Sequence, residues 1–248
     1  MTKERLRLDQ ALVERGFFPS RARAQGAIEA GLVKIDGRVV AKSAAPVDEG
    51  VALDVAGDVH DYVSRGGIKL AAALDAFAVD PAGKNCLDLG ASTGGFSEAL
   101  LRRGATRIYA VDVGRGQLHP RIAADPRVSS IEATHARDLT PALIPTAVEL
   151  LVADVSFISL KKALPSALAL MAPLSALVAL VKPQFEVGPA GVGKGGIVKN
   201  PKAGVQIARE LALWLHDDYG FKPLGVIDSP IEGGDGNREF LIGAVRQA

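Results

Sequence analysis

The sequence predicts an α/β protein: an open, mostly parallel sheet with helices on both faces, preceded by a small α+β unit. Three observations predict it. A short apolar run, 85–89, passes through Gly90, Gly94 and Gly95 into a helix-patterned stretch, 96–103, which is the strand–turn–helix geometry of such sheets. Six more apolar runs, at 107–111, 128–131, 150–153, 177–181, 224–227 and 240–245, are mostly separated by helical patterns. Ahead of residue 56 the pattern changes to two short helices and a hairpin.

In chain order, apolar residues at helical spacing (Leu8, Ala11, Leu12) predict a helix over 6–15. Pro19 and Ser20 stop it, and Ser20 is placed to cap a second helix over 21–30, which Gly31 ends. Val33–Ile35, an Asp36-Gly37 turn and Val39-Val40 read as a hairpin, and 51–55 as a further strand. A polar connector, 57–62, follows; the helix 70–77 and the break at Pro81-Ala82-Gly83 lead into the central strand. The expected division is 1–56, a linker 57–63, and 64–248.

At 248 residues and 48% hydrophobic, the chain suffices for one full core plus a small domain. The formal charge of +1 gives no global polyanion signal. Residues 1–43, however, carry nine Lys/Arg against five Asp/Glu, which suits either a nucleic-acid surface or a solvated helix face. The single cysteine, Cys86, has no internal disulfide partner and fits a reducing compartment. The N-terminus lacks a signal-peptide pattern. The uncharged stretch 163–181 contains Pro165, Ser166, Pro173 and Ser175, and reads as a helix and a strand rather than a membrane span. The expectation is a cytoplasmic monomer or weak dimer.

Asp88 at the end of the central strand and Asp112 at the end of the next one bracket the glycine turn. An acid at that second position is where a dinucleotide fold holds a ribose, so a nucleoside-containing cofactor is one reading; a tight connection without a ligand is the other. The spacing Gly90-x-x-x-Gly94-Gly95 is not Gly-x-Gly-x-x-Gly, and no Lys-Ser or Lys-Thr follows it. The pattern Asp88-Leu89-Gly90-x-x-x-Gly94-Gly95-Phe96 resembles the first motif of S-adenosylmethionine-dependent methyltransferases, especially those acting on ribose hydroxyls of RNA. That cofactor lacks phosphate; it offers a ribose diol to Asp112 and a methionine carboxylate and ammonium to the turn.

Charges that end buried strands are informative, because an unpaired buried charge is costly. Asp154 follows 150–153, Lys182 follows 177–181, Glu239 precedes 240–245, and Lys69 lies one helix before the central strand. Taken alone they are equally rim charges in ordinary ion pairs. The strings Arg65-Gly66-Gly67-x-Lys69-Leu70, Asp154-Val-Ser-Phe-Ile-Ser-Leu160, Val181-Lys-Pro-Gln-Phe-Glu186 and Asp235-Gly-Asn-Arg-Glu-Phe-Leu241 resemble the landmarks of the TlyA family. Its members are ribosomal RNA 2′-O-methyltransferases, often called haemolysins, with an FtsJ-like, Rossmann-like methyltransferase domain. The leading residues, Leu8-Asp9-Gln10-Ala11-Leu12-Val13-Glu14-Arg15-Gly16, Ser20-Arg21-Ala22-Arg23-Ala24 and Gly31-Leu32-Val33-Lys34-Ile35-Asp36-Gly37, resemble the RNA-binding domain named after the fourth small-subunit ribosomal protein.

The resemblance implies a Lys-Asp-Lys-Glu tetrad at Lys69, Asp154, Lys182 and Glu239. It places Asp88, Gly90, Ser92, Thr93, Gly94, Gly95 and Phe96 at the methionine end of S-adenosylmethionine, Asp112 at its ribose and Asp138 at its adenine. It directs Arg5, Arg7, Arg21, Arg23, Lys34, Arg38 and Arg65 toward phosphates of ribosomal RNA or ribosomal subunits. A ribose 2′-hydroxyl holds its proton, so a lysine brought toward neutral pKa suits the base; Lys182 is assigned that role, Lys69 an electrostatic one, and the two acids hold the lysines. Phe157 and Phe185 beside them suit either stacking on a displaced base or rim packing.

Gly188-Pro-Ala-Gly-Val-Gly-Lys194 mimics a phosphate loop, but Gly195 stands where a magnesium-binding hydroxyl belongs; a loop closing over the site is the alternative. His60, His119, His135 and His216 lack ligand spacing, so no metal is expected. Two rival classes stay open: a non-catalytic ribosome-binding or assembly protein, and a haemolysin.

Overall fold

The computed structural model describes residues 5–18, 20–29, 31–48, 50–55, 62–200, 202–234 and 236–247, and of Arg23 the backbone only. The chain divides into two compact units, Met1–Asp61 and Tyr62–Ala248. The expected connector lies, except for Tyr62 and Val63, outside the described residues.

In the first unit, helices Leu8–Glu14 and Arg21–Glu29 pack on a three-stranded antiparallel sheet in which Val33–Ile35 lies between Arg38–Val39 and Leu53–Val55. Leu8, Ala11, Leu12, Ile28 and Val33 are fully buried between them. The Asp36-Gly37 turn has φ of 48° and 79°, the paired left-handed residues of a tight hairpin. The first helix does not begin at residue 6. Leu6–Arg7 is extended and pairs antiparallel with Pro46–Val47, a strand the sequence pattern did not suggest. The N–H groups of Leu8 and Asp9 donate to the carbonyls of Ala45 and Ser43, so the helix's first orphan donors are met by a loop and the chain enters extended.

In the second unit the strands are β1 (Asn85–Leu89), β2 (Arg107–Val111), β3 (Val128–Ile131), β4 (Val148–Ala153), β5 (Met171–Val181), β6 (Lys222–Asp228) and β7 (Phe240–Arg246). Their order across the sheet is 6-7-5-4-1-2-3. All neighbours are parallel except that β7 is antiparallel to both β5 and β6. The chain winds outward from β1 to β3, then crosses to β4 on the other side, so a crevice opens at the carboxyl ends of β1 and β4.

Helices α1 (Gly66–Ala76) and α2 (Gly95–Arg102) cover one face, burying Leu70, Leu74 and Leu100 against Cys86, Ile108, Leu150, Val152 and Val178. Helix α3 (Ala203–Tyr219) covers the other, burying Ala208, Leu211 and Leu215 with Leu87, Leu151, Leu177 and Ile242. Neighbouring residues of one strand thus serve opposite cores, which is why these strands read as continuous apolar runs.

Helix α1 starts four residues earlier than expected, at Gly66. Glycines permit this: a Cβ on Gly67 would strike the Tyr62 ring, and one on Gly95 would lie 2.9 Å from the Gly67 nitrogen. The stretch 163–181 resolves into one-turn helices, Leu160–Ala163 and Pro165–Leu168, and the long strand β5. Among the described residues no helix is long and apolar enough to cross a membrane.

Candidate active site

Strand register assembles the site. Leu89 is level with Val111 on β2 and with Ala153 on β4, so the next row across the sheet holds Asp112, Gly90 and Asp154. Farther along the same rim, Val181 is level with Phe240, which sets Lys182 and Glu239 at the adjoining ends of β5 and β7.

The glycine turn is built for close approach. Gly90 has φ of 86° and Gly94 of 93°. A Cβ on Gly94 would lie 2.8 Å from Leu118 Cδ1, and one on Gly90 would run into the backbone of Asp154. Ser92, at the exposed tip with Thr93, also has positive φ, 47°. Asp112 is half-buried and faces this turn: the Ser92 N–H donates to Oδ2 (2.8 Å) and the Gly114 N–H to Oδ1 (2.7 Å). Each oxygen keeps accepting capacity for a diol. Glu132, which no sequence motif singled out, accepts from the N–H groups of Gly116 and Gln117; the Gly116 bond leads in holding its carboxyl below the usual range. The open turn, the half-exposed acid and the helix start behind them fit the aminoacyl and ribose parts of S-adenosylmethionine.

Three of the residues expected at the cofactor lie apart from the Asp112 hydrogen-bond network. Asp88 is fully buried and does not reach the crevice. It shares strand parity with Cys86 and faces α2, where the Ser97 hydroxyl donates to Oδ2 at 2.7 Å. Burial, with the charge of Asp154 adding, pushes its carboxyl up to about 7 against the opposing Ser97 bond. Phe96 is 3% exposed and packs in the core with α1, so it supports the turn rather than lining it. Asp138 is exposed in the single turn Ala136–Asp138, 3.7 Å from Arg137 Nε, and among the described residues no hydrogen bond joins it to the Asp112 loop.

The four expected tetrad residues form two lysine–carboxylate pairs. Lys69, on the first turns of α1, donates to Glu239 Oε2, and their side chains are 10% and 3% exposed. Burial raises the Glu239 carboxyl, while Lys69 and then Lys182 lower it. Lys182 Nζ lies 2.6 Å from Asp154 Oδ1, an ion pair poorly angled for a hydrogen bond, and donates to Ser156 Oγ at 2.8 Å. Ser156 was not anticipated, although it lies two residues beyond Asp154. Next to it Phe157 is 91% exposed at a left-handed φ of 64°, its ring 5.1 Å from that of Phe185. A bulky residue strained into solvent beside half-buried, paired charges signals function more than packing.

The 188–199 segment, which follows β5 and Lys182 in the chain, is closed by a bridge between Val192 and Val198. It is no phosphate loop, since no strand delivers it and only the single 3-10 turn Lys194–Gly196, not an α-helix, starts at Lys194. Asn237, also unanticipated, is 4% exposed; it accepts from Val198 N and donates to Gly196 O, both at 3.0 Å. Its sequence signal was its place in the 235–241 string, two residues before Glu239. No His, Cys, Asp and Glu cluster able to hold a metal forms among the described residues.

The expected RNA contacts divide. Arg5 pairs with Asp48 at 2.9 Å, and Arg7 and Arg21 both reach Asp9. Lys34 is half-buried, and Arg38 and Arg65 are exposed. The Arg23 side chain lies outside the described residues.

Residues 62–246 match the FtsJ-like methyltransferase family and residues 6–53 the S4 domain. The chain is 46% identical over 239 residues to the 16S/23S rRNA (cytidine-2′-O)-methyltransferase TlyA of Mycobacterium tuberculosis, covering 96% of this chain and 89% of that one. It is 38% identical to Hemolysin A of Brachyspira hyodysenteriae, covering 95% and 98%. A solved structure of a hemolysin-named protein from Streptococcus thermophilus superposes with a TM-score of 0.77 at 36% identity, over 99% of this chain and 90% of that one.

Proposed function

Because the chain belongs to the FtsJ-like methyltransferase family, we propose that it methylates a ribose 2′-hydroxyl, that of a cytidine, in ribosomal RNA. The observation that carries this reading is the placement of two lysine–carboxylate pairs on the rim that also bears the Gly90 turn and Asp112.

S-adenosylmethionine, when bound, supplies an electrophilic sulfonium methyl. The 90–95 turn and Asp112 would hold its aminoacyl and ribose parts. Lys182, at the end of β5, would take the proton of the attacking 2′-oxygen through its neutral amine, its own proton having first passed to solvent. Asp154 and Ser156 then face the ammonium that results and keep Nζ aimed across the crevice. Lys69, fixed by Glu239, contributes a positive charge beside the oxygen as it becomes anionic. Phe157 offers the target base an aromatic face once the base leaves its stack. The S4 domain supplies phosphate contacts that position the substrate without reading sequence. A ribosomal RNA substrate supports a cytoplasmic location.

The decisive experiment is transfer of labelled methyl from S-adenosylmethionine to separated, unmethylated ribosomal subunits, with Lys182→Ala as control. Label on one subunit, lost by roughly 10²–10⁴-fold in the variant while cofactor affinity persists, is expected. Cofactor binding without label on either subunit would favour a non-catalytic ribosome-binding protein. Appreciable turnover by Lys182→Ala would mean that another group takes the proton.

A further inference from the structure

We infer that Asp9 is a positioning residue of the small unit's RNA face, holding Arg7 and Arg21 side by side so that together they receive one phosphodiester. The inference rests on the reading that this unit binds RNA. Asp9 is fully buried at the start of the first helix, yet its carboxylate is saturated with donors. Arg7 reaches it side-on, Nε to Oδ1 at 3.0 Å and Nη2 to Oδ2 at 3.1 Å. Arg21, the first residue of the second helix, donates from Nη2 to Oδ2 at 3.1 Å, and Gln25 from Nε2 to the same oxygen at 2.6 Å. The Gln10 N–H completes the set at Oδ1, 3.0 Å.

Two positive charges therefore meet one negative charge, and a positive excess remains at this point. The guanidinium groups are not consumed by it. Each carries five N–H donors; Arg7 spends two on Asp9 and Arg21 spends one. Their side chains stay 45% and 51% exposed while the acid between them is 0%. A surface arginine ordinarily loses rotamer freedom when it grips a phosphate. Here that loss is incurred on folding, because a buried acid already fixes both forks. A phosphate, with its several acceptor oxygens, suits two forks at a set separation. Arg7 is a near neighbour of Asp9 in sequence, but Arg21 stands on the second helix, and only the helix–helix packing brings it to the same carboxylate.

Asp9 also joins the two helices, so a loss of fold must be told apart from a loss of positioning. The test measures binding of the full chain to unmodified small-subunit ribosomal RNA, transcribed in vitro, across a salt series, with thermal melting in parallel. Asp9→Asn should weaken binding roughly tenfold and reduce the salt slope by about 1. In an Arg7→Gln/Arg21→Gln background the same change should weaken binding no further. Equal weakening in both backgrounds would mean that Asp9 acts through the fold alone, and would overturn the inference. Arg7→Lys, a surface change that keeps the charge but not the side-on fork, gives a second reading should Asp9→Asn unfold the unit: binding must fall, and wild-type affinity in that variant would equally overturn it. An Arg7→Gln/Arg21→Gln protein that binds RNA normally would sink the RNA-face reading itself.

Discussion

Gly90 and Asp154 are in backbone contact: a Cβ on Gly90 would lie 2.9 Å from the Asp154 carbonyl carbon and closer still to its oxygen. The Asp154 N–H in turn donates to the Leu89 carbonyl at 2.9 Å. The glycine turn and the acid that faces Lys182 are thus one unit. Gly90→Ala should cost at least about 2 kcal/mol, from a left-handed φ imposed on an L-residue plus the clash. It should also weaken S-adenosylmethionine binding. Thermal melting and calorimetry check both, and a variant with wild-type stability would show that the strand ends yield.

Asp112 anchors the turn from the other side through Ser92 and Gly114. Asp112→Ala should raise the S-adenosylmethionine dissociation constant by the equivalent of roughly 2 kcal/mol, the loss of a charge-assisted hydrogen bond. An unchanged constant by calorimetry would contradict the placement of the ribose.

Lys69 and Glu239 are a buried pair, and half of such a pair is worse than none. Glu239→Gln should destabilise by about 3 kcal/mol in urea denaturation. Lys69→Met combined with Glu239→Leu should recover part of that stability and none of the activity. Equal stability of the single and double variants would show that the ammonium finds water instead.

Asp88 makes stability depend on pH in a direction opposite to that of a paired acid. Its folded carboxyl is raised to about 7 by burial, whereas in an unfolded chain it ionises near pH ~3.9. Between those values the folded state holds a proton that the unfolded state has released, so this group's contribution falls as pH rises through the window. Below it both states are protonated and the group is neutral to stability. Asp88→Asn should therefore gain stability relative to the parent from pH ~4 to pH ~7. Parallel melting curves for the two proteins across that range would refute the assignment.

Much of this was legible without coordinates because it is local. The Asp36-Gly37 turn, the apolar runs and the Gly90–Gly95 turn announce themselves within a few residues. Other features were not. Leu6 carries a helical pattern, but its backbone is claimed by a distant strand at Pro46–Val47. Gly66 and Gly67 look like loop residues, yet they open a helix because a neighbouring element needs their missing side chains. Asp88 sits in a strand buried on both faces, where parity carries no hydrophobic contrast to tell which way a side chain points.

By itself the sequence determined the element types, the doubly covered sheet and the residue types at its rim. Spacing and hydrophobic period are properties of neighbours along the chain, and a charge ending an apolar run is visible there. Only the tertiary structure decided which lysine meets which acid, that Asp88 turns inward to Ser97, and that Arg7 and Arg21 share Asp9. Those pairings follow from strand register and helix packing, which are set by burial summed over the whole core and leave no mark on any short stretch of chain.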